Sequence, residues 1–182
     1  MDPFLRRYVR DFPGFPRKGI VFKDISPVLL HPEALERAIE GLCALEAKPP
    51  DAVVAIESRG FVFGTGLALR WRVPLVAARK FGKLPGPTVR QVYSLEYGED
   101  TLEIQRDALR EDQTVVVVDD LLATGGTAAA TVRLVEQLGA RVASLLFVIE
   151  LEGLGGRERL SGHRVAALLT LPAGDETPPA RE

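Results

Sequence analysis

Val115-Val116-Val117-Val118-Asp119-Asp120-Leu121-Leu122-Ala123-Thr124-Gly125-Gly126-Thr127 is the stretch that decides the fold. Four consecutive valines predict a strand buried on both faces, as inside a parallel sheet. The strand is expected to end in two carboxylates, followed by a loop of small residues and a helix opening at Gly125-Gly126. Open α/β sheets place ligands at the carboxyl ends of their strands. A glycine-rich turn into a helix exposes backbone N–H groups and the positive end of the helix dipole, which together cradle phosphate. The hydroxyls of Thr124 and Thr127 add donors. Asp119 and Asp120 would repel that phosphate unless they face something else. Adjacent ribose hydroxyls suit them, each charge-assisted bond contributing on the order of 1.5–3 kcal/mol. The pattern therefore reads as a site for a ribose 5-phosphate. An aspartate pair alone could simply cap the helix; with the small-residue loop attached, the ligand reading is stronger. A Walker loop does not fit, because no Gly-Lys-[Ser/Thr] follows.

Outward from this motif, short apolar strands alternate with helices. Ala52–Ile56, the segment from Pro74 to Ala78, Val142–Ile149 and Val165–Leu171 are expected strands. Helices are expected from His31-Pro32 to the breaker Pro49-Pro50, from about Phe61 to Trp71, and from Gly125-Gly126 to near Leu138-Gly139. This alternation predicts an α/β fold with a mostly parallel sheet. Pro13, Pro16 and Pro27 make the first thirty residues an irregular, partly extended segment. Arg79 to Thr88 is basic and rich in glycine and proline, and reads as a mobile loop. Val92–Tyr97 and Thr101–Gln105, joined by Gly98-Glu99-Asp100, read as a hairpin. Glu57-Ser58-Arg59-Gly60 follows a buried strand, so Arg59 should stand at the ligand edge of the sheet, able to offer its planar fork of donors to an anionic group. Arg79, Lys80 and Lys83 would offset part of that charge.

The chain has 182 residues, enough for one domain, and 46% of them are hydrophobic. A net charge of −2 argues against a general nucleic-acid binder. Cys43 is the single cysteine, so no internal disulfide can form, which suits a reducing, cytoplasmic location. Met1 to Arg7 do not lead into the apolar core of a secretory leader. The longest uncharged run, Leu121–Val132, has twelve residues and is too short to span a membrane. His31 and His163 are expected to be structural, and with one cysteine they cannot make a zinc site.

The central thirteen residues resemble the signature of type I phosphoribosyltransferases. Further segments resemble the adenine branch of that family: Gly19–Pro27, Glu57–Phe61, Arg79-Lys80 with Gly82–Gly86, and Tyr93–Gly98. The resemblance covers roughly Phe12 to Leu171, and with no dividing linker the chain reads as a single domain over residues 1–182, its proline- and charge-rich end included. Within it, residues 1–32 would be a hood that binds the base, 33–171 the core, 79–105 a flexible lid, and 172–182 a disordered tail. It implies substrates adenine and 5-phosphoribosyl-1-pyrophosphate, products AMP and pyrophosphate, and Mg²⁺ held by substrate and water rather than directly by protein. Ser58 and Arg59 would form the pyrophosphate loop, and Ala123, Thr124, Gly125, Gly126 and Thr127 the phosphate loop. Asp119 and Asp120 would hold the diol. Val21, Phe22, Lys23 and Leu121 would meet the base, Glu96 would manage a proton near purine N7, and Tyr97 would close over the site. Lys23 departs from the arginine more common there. Family members are usually homodimers; no nucleic-acid or membrane partner is implied. A transferase for xanthine, hypoxanthine or orotate, or a non-catalytic sensor of phosphoribosyl pyrophosphate, would share the central motif.

Overall fold

The computed structural model describes residues 2–95 and 98–174. Its main sheet has seven strands: β3 (Ala52–Ile56), β4 (Leu75–Lys80), β5 (Thr88–Leu95), β6 (Gly98–Gln105), β7 (Thr114–Leu122), β8 (Arg141–Glu152) and β9 (Val165–Pro172), in the order β5-β6-β4-β3-β7-β8-β9. The five core strands β4, β3, β7, β8 and β9 are mutually parallel, and the β5–β6 hairpin adds antiparallel to β4. This is the α/β architecture with a mostly parallel sheet that the alternation predicts.

Alternation of side chains along each buried strand divides the core into two layers. Val54, Ile56, Val115 and Val117 face one side, under Leu134 and Val135 of α5 (Gly126–Gln137). Val53, Ala55, Val116 and Val118 face the other. There they meet Phe63 and Leu67 of α4 (Gly60–Trp71) and Ala38 and Leu42 of α3 (Pro32–Ala44). Gly64 lets α4 sit close: a Cβ there would lie 2.5 Å from the Cβ of Ala55.

Several elements differ from expectation. Residues 2–30 carry α1 (Pro3–Arg6), an antiparallel pair β1 (Arg10–Pro13) and β2 (Val21–Asp24), and α2 (Ser26–Leu30). Helix α3 stops at Ala44, short of Pro49-Pro50. Just beyond it the Glu46 carboxylate accepts hydrogen bonds from the Ser144 hydroxyl and the Arg164 guanidinium, which tie this segment to β8 and the entry to β9. Strand β7 does not end at the aspartates; β8 continues beside it, pairing Leu121 with Ile149 and Leu122 with Glu150. Arg79 and Lys80 lie on β4, paired with Glu103 and Leu102 of β6, so the loop shrinks to residues 81–87. The hairpin is longer than expected, and Gly98-Glu99-Asp100 is part of β6 rather than its turn. The last strand extends to Pro172, the first residue of the expected tail; residues 175–182 lie outside the described residues. A short helix α6 (Gly156–Arg159) was not anticipated.

Candidate active site

Two recesses open side by side at the carboxyl ends of β3 and β7. The larger, about 380 Å³, is lined by Glu57, Ser58, Arg59, Lys80, Tyr93, Asp100, Leu102, Asp119, Asp120, Leu121 and Thr127. The smaller, about 100 Å³, is walled by residues 121–128 with Asp119 and Phe147. Asp119, Leu121 and Thr127 border both, so a single ligand can lie across the pair.

The smaller recess is made by backbone. Gly125 has φ +75°, a left-handed conformation that turns the chain from β7 into α5. Helix α5 then begins at Gly126, and the amides of its first turn have no intrahelical acceptor. They are available to an anion, with the helix dipole in support. Ala123, Thr124, Gly125, Gly126 and Thr127 are thus brought together as the phosphate loop the sequence implies.

The larger recess concentrates charge. The Asp120 carboxylate is buried, and Nε of Arg59 stands 2.6 Å from its Oδ2. The contact lacks hydrogen-bond alignment, so that oxygen is ion-paired yet has no directed donor. Asp119 Oδ1 accepts the Asp120 amide at 2.8 Å. Burial, then the neighbouring Asp120 charge, push the Asp119 carboxyl well above the ordinary aspartate range. Both aspartates therefore retain acceptor capacity for donors that a ligand brings. Among the described residues no cluster of three or more His, Cys, Asp or Glu side chains is placed to hold a metal ion by itself.

Ser58 follows a cis peptide at Glu57–Ser58, and Arg59 caps α4. Glu57 is fixed in turn by β4, its Oε2 accepting Arg79 Nε at 3.1 Å and the Lys80 amide at 3.0 Å. Burial raises that carboxyl, but the Lys80 amide and the Arg79 guanidinium outweigh it and hold the group below the ordinary glutamate range. Arg79 also donates to the Lys83 carbonyl at 3.2 Å. Its guanidinium is committed to the frame, and neither Arg79 nor Lys83 lines the recess. Lys80 does line it, with Nζ 3.1 Å from Asp100 Oδ2. Tyr93 stands opposite Asp100 in the hairpin and donates to the same oxygen at 3.3 Å.

On the hood, the Phe22 ring lies 5.4 Å from the Arg59 guanidinium and meets Phe15 edge-on at 5.2 Å. An apolar pocket of about 260 Å³ between Phe12, Phe15, Phe22 and Asp24 adjoins this ring. Val21 and Lys23 share the inner face of β2. Lys23 is buried and pairs with Asp11 at 3.1 Å, so its side chain is turned away from the recess. Arg10 is held by Asp24, its Nε at 3.0 Å from Oδ2. Glu96 and Tyr97 lie outside the described residues.

Glu57, Tyr93, Asp100 and Leu102 were missed as wall residues. Glu57 directly precedes Ser58-Arg59 at the strand end, which was a usable signal. Tyr93 and Asp100 were hidden by the misplaced turn: with the turn at 96–97, the register that pairs Leu95 with Gly98 also sets Tyr93 against Asp100.

The phosphoribosyl transferase domain matches residues 29–163. The adenine phosphoribosyltransferase of Carboxydothermus hydrogenoformans is 51% identical over 167 residues, 91% of this chain and 98% of that protein. That of Synechococcus sp. is 53% identical, over 91% of this chain and 97% of its own. Among solved structures, adenine phosphoribosyltransferase from Thermoanaerobacter pseudethanolicus superposes with a TM-score of 0.89 at 49% identity, covering 92% of this chain and 98% of that one. The Saccharomyces cerevisiae enzyme, solved with an imino-altritol bisphosphate and adenine, gives 0.85 at 42% identity, covering 91% and 97%. The chain belongs to the phosphoribosyl transferase family, among its adenine phosphoribosyltransferases.

Proposed function

We propose that the chain joins adenine to 5-phosphoribosyl-1-pyrophosphate, releasing AMP and pyrophosphate, with the roles of individual residues as follows. The observation that carries the reading is the acid pair Asp119-Asp120 between a backbone-lined anion recess and a cavity bearing Arg59 and Lys80. The 5-phosphate occupies loop 123–127. Asp119 and Asp120 accept from the ribose hydroxyls, which supply the directed donors that Asp120 Oδ2 lacks. Arg59 moves from its pair with Asp120 to the pyrophosphate, joined by Lys80 from Asp100 and by the Ser58 hydroxyl.

The base approaches from the hood. The Gly14 amide donates to the Ile20 carbonyl at 2.8 Å, which marks a hydrogen-bonded pair in the β1–β2 ladder. Alternation then directs the N–H and C=O of Val21, one step out of phase with both Ile20 and Phe22, away from β1. Val21 thus offers one donor and one acceptor to the adenine edge, while the Phe22 ring stacks on the purine and Leu121 packs from β7. The N9–C1′ bond forms as the C1′–pyrophosphate oxygen bond breaks. By the family resemblance, the Glu96 carboxylate would accept the ring N–H proton that adenine loses near N7 as N9 attacks, and Tyr97 would close over the site.

The acceptor capacity of Asp119 and Asp120 also suits Mg²⁺ brought with the substrate through its hydroxyls and waters. When bound, the ion neutralises pyrophosphate and eases its departure. Water would capture the oxocarbenium-like transition state, so the hairpin and loop 81–87 act as a lid. Arg79 and Lys83 serve the lid's frame in the state described here, and can turn to pyrophosphate only on closure. We further propose a homodimer acting in the cytoplasm on small molecules; among the described residues, no helix is long and apolar enough to cross a membrane.

The test is nucleotide formation with Mg²⁺ and phosphoribosyl pyrophosphate across adenine, hypoxanthine, guanine, xanthine and orotate. Adenine should be strongly preferred. A preference for a 6-oxopurine, or no nucleotide from any base, would overturn the proposal; light scattering decides the dimer.

A further inference from the structure

Past β8 the chain turns through Gly153 and Gly155, both at positive φ, and enters α6 at Gly156. A Cβ on Gly156 would stand 2.2 Å from the carbonyl oxygen of Ala123 and 3.0 Å from Cγ of Leu122. In the other direction, a Cβ on Gly125 would stand 2.7 Å from the carbonyl oxygen of Gly156. The two backbones are in direct contact, and Gly156 touches the phosphate loop without lining its recess.

Helix α6 has one turn and cannot hold itself in place. Arg157 anchors it: Nε donates to Glu150 Oε1 at 2.8 Å, Nη2 pairs with Glu150 Oε2, and Nη1 donates to the Val165 carbonyl at 2.8 Å. Glu150 is itself buried on β8, beside Leu122, the last residue of β7. One end of this bidentate pair is thus fixed at the point where the loop leaves the sheet. The other end holds the residue next to Gly156.

We propose that Gly156 is the back wall of the phosphate loop and that Glu150 and Arg157 are positioning residues for 5-phosphate binding. The inference rests on the reading that loop 123–127 takes the 5-phosphate. With the wall in place, the loop amides converge on the anion before it arrives. With the wall displaced, the Ala123 carbonyl and the amides after it shift together, and the cradle loses aim.

A pair that served only overall stability would affect both substrates alike, so the measurements must separate them. Binding of ribose 5-phosphate is followed by calorimetry, and KM for each substrate by AMP formation, in Gly156→Ala, Arg157→Met, Arg157→Lys and Glu150→Gln. Gly156→Ala and Arg157→Met should weaken ribose 5-phosphate and raise KM for phosphoribosyl pyrophosphate by about tenfold or more, since misplacement of a site by about 1 Å can cost up to about a hundredfold. KM for adenine should stay within about twofold, and Arg157→Lys should recover part of the loss. If Gly156→Ala does not fold, the Arg157 pair decides. Folded variants that bind ribose 5-phosphate like the wild type, or whose two KM values rise together, overturn the inference. A wild type that binds ribose 5-phosphate but forms no AMP refutes the transferase reading and leaves the wall standing. A wild type that binds none removes both.

Discussion

Gly64→Ala tests whether the spacing between α4 and β3 sets the site. The added Cβ would lie 2.5 Å from the Cβ of Ala55, with Leu75 Cδ1 at 3.2 Å and Val118 Cγ1 at 3.3 Å. Carbon atoms rest at about 3.5–4.0 Å, so the two elements must separate by about 1 Å or more. Neither Cβ can escape by rotation, because each is bonded directly to a backbone held in a helix or a central strand. Overpacking of this kind costs about 1–3 kcal/mol, offset by about 0.5–1 kcal/mol for replacing glycine within a helix. A net loss of about 1–2 kcal/mol lowers Tm by about 2–8 °C in a chain of this size. Catalysis should suffer more. Arg59 caps α4 and meets Asp120 of β7, so lifting the helix pulls the pyrophosphate loop from the acid pair. A shift of about 1 Å there lowers kcat/KM by up to about a hundredfold. Ala55→Gly supplies the control. Alone it removes a buried methyl and adds a flexible residue to a strand, about 1.5 kcal/mol. Combined with Gly64→Ala, it moves the methyl across the contact instead of doubling it, and the pair should show about 1–3 kcal/mol of favourable coupling. Thermal melts and AMP formation on all four proteins complete the cycle. A Gly64→Ala protein with unchanged Tm and kinetics, or strictly additive losses, would refute the reasoning.

Asp119→Asn should make the unliganded protein more stable while lowering kcat/KM by roughly 10- to 150-fold, the worth of one charge-assisted bond. Burial and Asp120 raise the Asp119 carboxyl, so above the ordinary value of 3.8 the folded chain keeps a proton that the unfolded chain releases, and stability falls as pH rises. The variant's advantage in Tm should therefore be small below that pH and grow above it; a variant less stable than the wild type at pH 7 would refute this. Glu103→Gln should act with the opposite sign. The buried Glu103 carboxylate accepts the amides of Lys83 and Leu84 and the Thr88 hydroxyl, each at 3.1 Å. Burial raises its carboxyl, but these donors prevail and hold it below the ordinary 4.5, so its contribution is present above that pH and lost on acidification through the depressed value. The variant should lose about 1–3 kcal/mol at pH 7, converge with the wild type in acid, and be cut faster by trypsin at Lys83. Equal cutting rates would show that Glu103 does not hold the loop.

The parts of this molecule legible in its sequence are those whose chemistry is contiguous along the chain. Four valines, two acids and a small-residue loop occupy successive positions, so strand, sugar grip and anion cradle could be read together, although the strand outruns its acids because β8 extends beside it. The hood was opaque for a physical reason. Its outer strand β1 is exposed at every position and carries no alternation, and the prolines around it argue for irregular chain. Lys23 shows a signal that was present and unused: period two puts it on the same face as the buried Val21 and opposite Phe22, so a stacking Phe22 already required Lys23 to turn inward, where Asp11 receives it. In the sequence, Arg79 and Lys80 read as loop because charge and glycine cluster there. At the ligand edge of a parallel sheet, however, polar residues belong to the strand ends themselves, and a strand can carry a cation such as Lys80 into a cavity more firmly than a loop can. What no local pattern could disclose is the contact of Gly156 with Ala123. The two residues are far apart in sequence, neither carries a charge, and the necessity of glycine at 156 follows only from what lies against it. Binding groups can be read along the chain, whereas the surfaces that aim them come from segments the chain brings back later.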